Sequence, residues 1–151
     1  MYLSRSAEYA LRTMTYLARL KPIGRVTARD LAQATDVPGP YLSKIMRRLT
    51  AAGLLTSQKG HHGGFRLAKP PSEVRFIDIL QAVEFDPTED HCLFGWEDCG
   101  LDDPCPLHSE WSDLMELIEV WARTRTLNDV LGGESSPQRA RTVSPLVEIG
   151  E

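Results

Sequence analysis
The sequence predicts a mainly α fold, a winged helix-turn-helix with a small two-stranded wing followed by a long C-terminal dimerisation helix. Three observations carry this expectation. Residues 3–52 hold three helical patterns separated by turn signals, the order of a helix-turn-helix with a leading helix. Residues 54–67 hold two short strand-like runs joined by a glycine- and histidine-rich link, the pattern of a hairpin. Residues 107–131 carry an apolar stripe at helical spacing that no Gly or Pro interrupts.

The first helix is expected over residues 3–20, where Leu3, Ala7, Ala10, Leu11, Met14, Leu17, Ala18 and Leu20 recur at a helical period behind Ser4, a suitable cap. Pro22 and Gly24 end it. Thr27 and Asp30 have the spacing of a capping box, with Asp in place of the usual Glu or Gln, and open a short helix to about residue 34. Residues 36–39 read as a turn. Pro40 suits the first position of a third helix, where its missing N–H costs nothing, and Gly53 stops that helix. On it, Leu42, Ile45, Met46 and Leu49 share one face, while Tyr41, Lys44, Arg47 and Arg48 lie largely away from it. The wing strands are expected at 54–57 and 64–67, and a further helix at 75–84 with Ile77, Ile79, Leu80 and Val83 apolar.

Residues 85–106 form an irregular acidic loop that holds Cys92, Cys99 and Cys105. Beyond it, Leu107, Trp111, Leu114, Ile118 and Trp121 recur at spacings of four and three, widened by Met115 and Ala122. A helix of this length reaches ~36 Å, more than a small domain needs for itself. Its stripe fits a symmetric seam with a second copy; the competing reading is packing on its own domain. The expected organisation is therefore 1–84 for the DNA-binding domain, 85–106 for the cysteine loop, 107–131 for the dimerisation helix and 132–151 for a disordered tail.

The 151 residues suffice for one core with an appendage. No apolar run approaches the ~20 residues that span a bilayer, and the first residues lack a signal peptide's apolar block, which predicts a cytoplasmic protein with no membrane partner. The net charge of −4 at first argues against nucleic acid. Its distribution argues the reverse. Between Asp36 and Glu73 there is no acid, only the cations Lys44, Arg47, Arg48, Lys59, Arg66 and Lys69. Between Arg75 and Arg123 there is no Lys or Arg, only thirteen acids. A locally basic block binds phosphates whatever the overall sign, because counterion release depends on local charge.

The outward face of the third helix is expected to enter the major groove, with Arg47 or Arg48 touching phosphate or bases. The wing adds Lys59, Arg66 and the turn histidines His61 and His62, the latter pair reading first as exposed turn residues. No nucleophile–base pairing, phosphate-cradling loop or carboxylate pair is visible, so an enzyme is not expected.

Three cysteines, an odd number, argue against a disulfide framework in the cytoplasm. Six residues separate Cys92 from Cys99, five separate Cys99 from Cys105, and two separate Cys105 from His108. These gaps are unlike the paired Cys-x-x-Cys of common zinc folds and suit a loop wrapped around a polynuclear iron–sulfur cluster. The acidic surroundings disfavour an anionic cluster and point to a labile one, as a sensor requires. A structural zinc site and reduced thiols without metal remain the alternatives.

These residues resemble the winged-helix iron–sulfur regulator family that includes IscR, NsrR and RirA, over roughly residues 1–130. The carriers are the opening Leu3-Ser4 with Glu8-Tyr9-Ala10-Leu11-Arg12, the run from Tyr41 through Ser43 and Lys44 to Leu49, the wing from Ala52-Gly53-Leu54-Leu55 to Gly63-Gly64-Phe65-Arg66-Leu67-Ala68, and the cysteine trio. The resemblance implies a homodimer with crossed long helices and a DNA operator as partner, with Ser43 joining the reading face. It implies an iron–sulfur cluster, 4Fe–4S or 2Fe–2S, on Cys92, Cys99 and Cys105. The first gap is one residue longer than the family pattern, so the cluster type stays open. The fourth ligand is His108, Glu8 of the partner subunit, or else water or a small molecule. The implied function is that of a transcriptional regulator, a repressor, whose operator affinity follows a cluster sensing nitric oxide, redox state or iron and cluster status. The alternative is a winged-helix DNA-binding protein with a structural zinc or a thiol-based redox switch.

Overall fold
The computed structural model describes residues 3–20, 24–85, 87, 92–96, 99 and 102–132. The expected tail at 132–151 lies outside the described residues apart from Gly132, as does part of the cysteine loop. Helix α1 (Arg5–Arg19) starts behind Ser4, whose hydroxyl accepts from the Ala7 amide at 3.2 Å. Helix α2 (Ala28–Thr35) starts behind Thr27, whose Oγ1 accepts from the Asp30 amide at 3.2 Å and donates to the Asp30 carboxylate at 2.7 Å. It ends at Asp36 in the left-handed region, φ 54. Helix α3 (Gly39–Ala51) carries Pro40 in its first turn and buries Leu42, Ile45, Met46 and Leu49 against α1 and α2. The face predicted to dock therefore does so, and the other is left to solvent.

The wing strands β1 (Leu55–Gln58) and β2 (Gly64–Leu67) pair antiparallel, with Leu55 opposite Leu67 and Gln58 opposite Gly64. Val26 adds a bridge to Phe65, with Val26 N–H donating to Phe65 O at 3.0 Å and Phe65 N–H to Val26 O at 2.8 Å. A single-residue bridge has no periodicity and so leaves no pattern in the sequence. Gly64 is required at that crossing. Its φ is +139, and a Cβ there would meet the Val26 carbonyl oxygen at 2.6 Å.

Helix α4 (Phe76–Ala82) buries Phe76, Ile77, Ile79 and Leu80. It closes in a Schellman turn: the Glu84 amide donates to Gln81 O at 3.1 Å and the Phe85 amide to Leu80 O at 3.0 Å. Glu84 takes the left-handed position with φ 62, where a Cβ costs roughly 1–2 kcal/mol.

The helix expected over 107–131 is two helices, a correction to the sequence reading. Helix α5 (His108–Thr124) ends at Arg125 in extended conformation, and α6 (Leu127–Leu131) restarts behind Thr126. The cause is a capping signal inside the stripe. The Asp129 carboxylate accepts from the Thr126 amide at 2.7 Å and its hydroxyl at 2.9 Å. The chain between the helices pairs with the start of α4: Phe76 N–H donates to Arg125 O and Leu127 N–H to Val74 O, each at 3.0 Å. Leu127 is thereby fully buried beside α1. Of α5 only Ala122 is buried, while Leu107, Leu114, Leu117, Val120 and Trp121 stand exposed. None of the described helices is long and apolar enough to cross a membrane.

Candidate nucleic-acid interface and metal centre
Tyr41, Ser43, Lys44 and Arg47 are all exposed on α3, as predicted for a reading face. Tyr41 is held from behind: its ring meets Tyr9 of α1 edge-on at 5.8 Å between centroids, and the Arg12 guanidinium lies 5.6 Å from the Tyr9 centroid. On the wing, Lys59, His61, His62 and Arg66 are exposed, with the two histidine rings edge to face at 5.1 Å. Arg66 Nε reaches Thr56 Oγ1 at 3.4 Å.

Arg48 departs from the expectation. It is half-buried and turned toward the end of α4, with Nη2 2.5 Å from Glu84 Oε1 and Nη1 3.5 Å from Val83 O. Successive helical residues project about 100° apart, so Arg48 points to the α4 side while Arg47 points to solvent.

Arg25 is a residue that sequence reasoning missed. Its Nη1 donates to Thr56 O at 3.2 Å and Gly64 O at 3.4 Å, joining both wing strands. The signal was a cation just before the turn into the short second helix, outside the acid-free block.

The sulfurs of Cys92, Cys99 and Cys105 all lie within 4.8 Å of one another. Cys92 Sγ and Cys105 Sγ are 3.9 Å apart, and the Cys105 amide donates to Cys99 Sγ at 3.3 Å. Cys105 is buried and the other two half-buried, and all three are free thiols. The Trp96 amide, with smaller help from that of Phe94 and the adjacent thiols, holds the Cys92 thiol below its ordinary range against the opposing effect of burial. Cys99 is pushed up: the Cys105 amide acts to lower it but is outweighed by burial and by the neighbouring thiols of Cys105 and Cys92.

Of the two candidate fourth ligands, His108 is brought to the site. The first residue of α5, it places Nδ1 3.3 Å from Cys99 Sγ. Glu8 is engaged elsewhere in its own protomer, in a 2.6 Å ion pair with Arg12. Arg12 also donates to Thr35 O at 3.3 Å, tying α1 to α2.

Three thiols and one imidazole nitrogen form a donor set for a thiophilic metal or an iron–sulfur cluster. Cys92, Cys99 and Cys105 form one close group, and His108 adjoins it through Cys99.

Residues 3–133 match the family model described as Rrf2, iron-dependent transcriptional regulator. A putative HTH-type transcriptional regulator of Aquifex aeolicus is 32% identical over 136 residues, 89% of this chain and 94% of that protein. The HTH-type transcriptional regulator IscR of Serratia proteamaculans is 29% identical over 134 residues, 89% of this chain and 81% of that protein. The solved structure of IscR from T. potens superposes with a TM-score of 0.70 at 25% identity, covering 94% of each chain. These relatives are transcriptional regulators, not enzymes. From the outward face of α3, its two-stranded wing and a match across nearly all the described residues, the chain belongs to the Rrf2 family of transcriptional regulators.

Proposed function
We propose that this protein is a homodimeric transcriptional repressor whose operator affinity is set by an iron–sulfur cluster on Cys92, Cys99 and Cys105. The carrying observation is the convergence of these three sulfurs within 4.8 Å on a loop next to a winged-helix reading head. His108, whose Nδ1 lies 3.3 Å from Cys99 Sγ, is the proposed fourth ligand, and Glu8 of the partner subunit is the competing one. Such a cluster supplies redox and nitric-oxide chemistry, and its gain or loss is the signal. The protein's own part is mechanical. A cluster held on the three cysteines would tie Cys92, Cys99 and Cys105 together just ahead of α5, which starts at His108. A signal can shift DNA binding only by interacting differently with the two arrangements. Tyr41, Ser43, Lys44 and Arg47 on α3, with Lys59, His61, His62 and Arg66 on the wing, would read the duplex, while Arg48 acts from behind.

One observation favours a second reading. A single tetrahedral metal with sulfur bonds of about 2.3 Å sets its thiolates about 3.8 Å apart, close to the 3.9 Å between Cys92 and Cys105. With His108, this is also a structural zinc set.

The test is oxygen-free purification with iron, sulfide and zinc analysis and a visible spectrum. The expected outcome is iron and sulfide with visible absorption, lost in Cys99→Ala. A colourless protein carrying zinc alone selects the second reading. Absence of iron and sulfide even after reconstitution overturns the first.

A further inference from the structure
We propose that Glu84 is a positioning residue that joins the root of the cysteine loop to α3 through Arg48, and that this ion pair carries the state of the thiol site to the reading face. The inference rests on the cluster-sensing reading above.

Glycine commonly fills the left-handed position after a helix, because a Cβ there is unfavourable. Here the position after α4 holds a glutamate, Glu84, with φ 62. Its carboxylate reaches Arg48 Nη2 at 2.5 Å, and the same guanidinium lies 3.5 Å from Val83 O. The two ends differ in character. The Arg48 side chain is 20% exposed and wedged against the end of α4, while Glu84 is 74% exposed and reaches in from the rim.

The contact sits where the chain leaves the core. Phe85, the next residue, still packs against the core, and Cys92 follows eight positions after Glu84. On α3, Arg48 adjoins Arg47 and lies one turn beyond Lys44, both on the exposed face. A change in the loop that moves Glu84 therefore pulls on the C-terminal half of α3, beside the exposed cations Lys44 and Arg47. An ion pair with one partner this exposed adds little to stability, so its removal spares the fold. Its effect is on where α3 sits.

The test uses two Glu84 variants of the full chain. Glu84→Gln removes the charge and keeps the side chain; Glu84→Gly removes it in a residue that adopts this backbone freely. Each is purified without oxygen, loaded or stripped of cluster, and titrated at fixed salt against a duplex selected from random sequence on the wild-type protein. Both variants are expected to keep the wild-type visible spectrum; Glu84→Gln is expected to keep the melting temperature, and Glu84→Gly to melt at or above it. The ratio of loaded to stripped affinities, about tenfold or more in wild type, is expected to fall below about threefold in both. A merely structural role for Glu84 lowers both affinities together and leaves the ratio intact, which overturns the inference. A ratio of one in wild type overturns the cluster-sensing reading instead, and the latch with it.

Discussion
Arg47 and Arg48 are adjacent in sequence, yet the structure exposes the first and ties the second to Glu84. Only Arg47 is free to meet a phosphate directly. Arg47→Ala is therefore expected to weaken DNA binding about uniformly across sequences and to lower the slope of log affinity against log salt by about 0.9. Affinity measured from low to moderate salt checks this, and a slope equal to wild type removes Arg47 from the phosphate contacts. The sequence showed both arginines as cations off the apolar face and could not separate them. Their difference depends on Glu84, 36 positions away, held in a left-handed conformation that no local pattern announces. The thiol site was more legible. Clustered cysteines are visible in any reading, and His108 followed from its nearness to Cys105. What the sequence left open was whether Glu8 or His108 faces the sulfurs, because that depends on the path of the loop. Within one protomer the path brings His108 to Cys99.

Among the elements, α6 shows how a small cap redirects a chain. Asp129 accepts from the Thr126 amide and hydroxyl, and these bonds, with the nearby Arg125 charge, hold its carboxyl below the ordinary range. Because the folded-state pKa is depressed, this contribution is present above the unfolded value of about 3.9 and is lost as pH falls through the folded one. Asp129→Asn is expected to melt below wild type at neutral pH, with the gap narrowing as pH drops toward 4 and beneath it. Melting curves across that range check the sign, and a gap that widens in acid contradicts it. Thr126→Ala is expected to cost roughly 0.5–2 kcal/mol, the usual range for a lost cap, read by denaturant unfolding. The Thr126–Asp129 spacing was visible in the sequence. The uninterrupted apolar stripe hid it, since without Gly or Pro the periodicity reads as one helix. The helices that matched their patterns closely, α1 to α4, are those whose apolar faces pack within the same protomer. There the burial that sequence periodicity implies is supplied by the chain itself.

At the scale of the molecule, α5 leaves an apolar face without cover. Leu117 is 67% exposed, with Leu114 and Val120 near half, in a helix whose only buried residue is Ala122. A contiguous exposed apolar stripe on a helix this long fits a second copy, which buries the same face on both partners at once. Leu117→Glu places a charge in that seam and is expected to convert a dimer into a monomer by sedimentation velocity, with far-UV circular dichroism unchanged. Its DNA affinity should fall by a factor of 10² or more, about the avidity lost when two half-sites are no longer held together. A Leu117→Glu protein that stays dimeric assigns the seam elsewhere. The monomer also decides the fourth ligand. His108 lies in the same chain as the cysteines, so a site completed by it keeps its visible absorption when the subunits part. A site completed by Glu8 of the partner subunit loses that ligand on dissociation. Retention of the absorption band in the monomer is the expected result, because His108 already stands 3.3 Å from Cys99 while Glu8 is paired with Arg12. A band that bleaches in proportion to dissociation gives the position to Glu8 of the partner subunit and makes the cluster itself part of what holds the two reading heads at a fixed spacing.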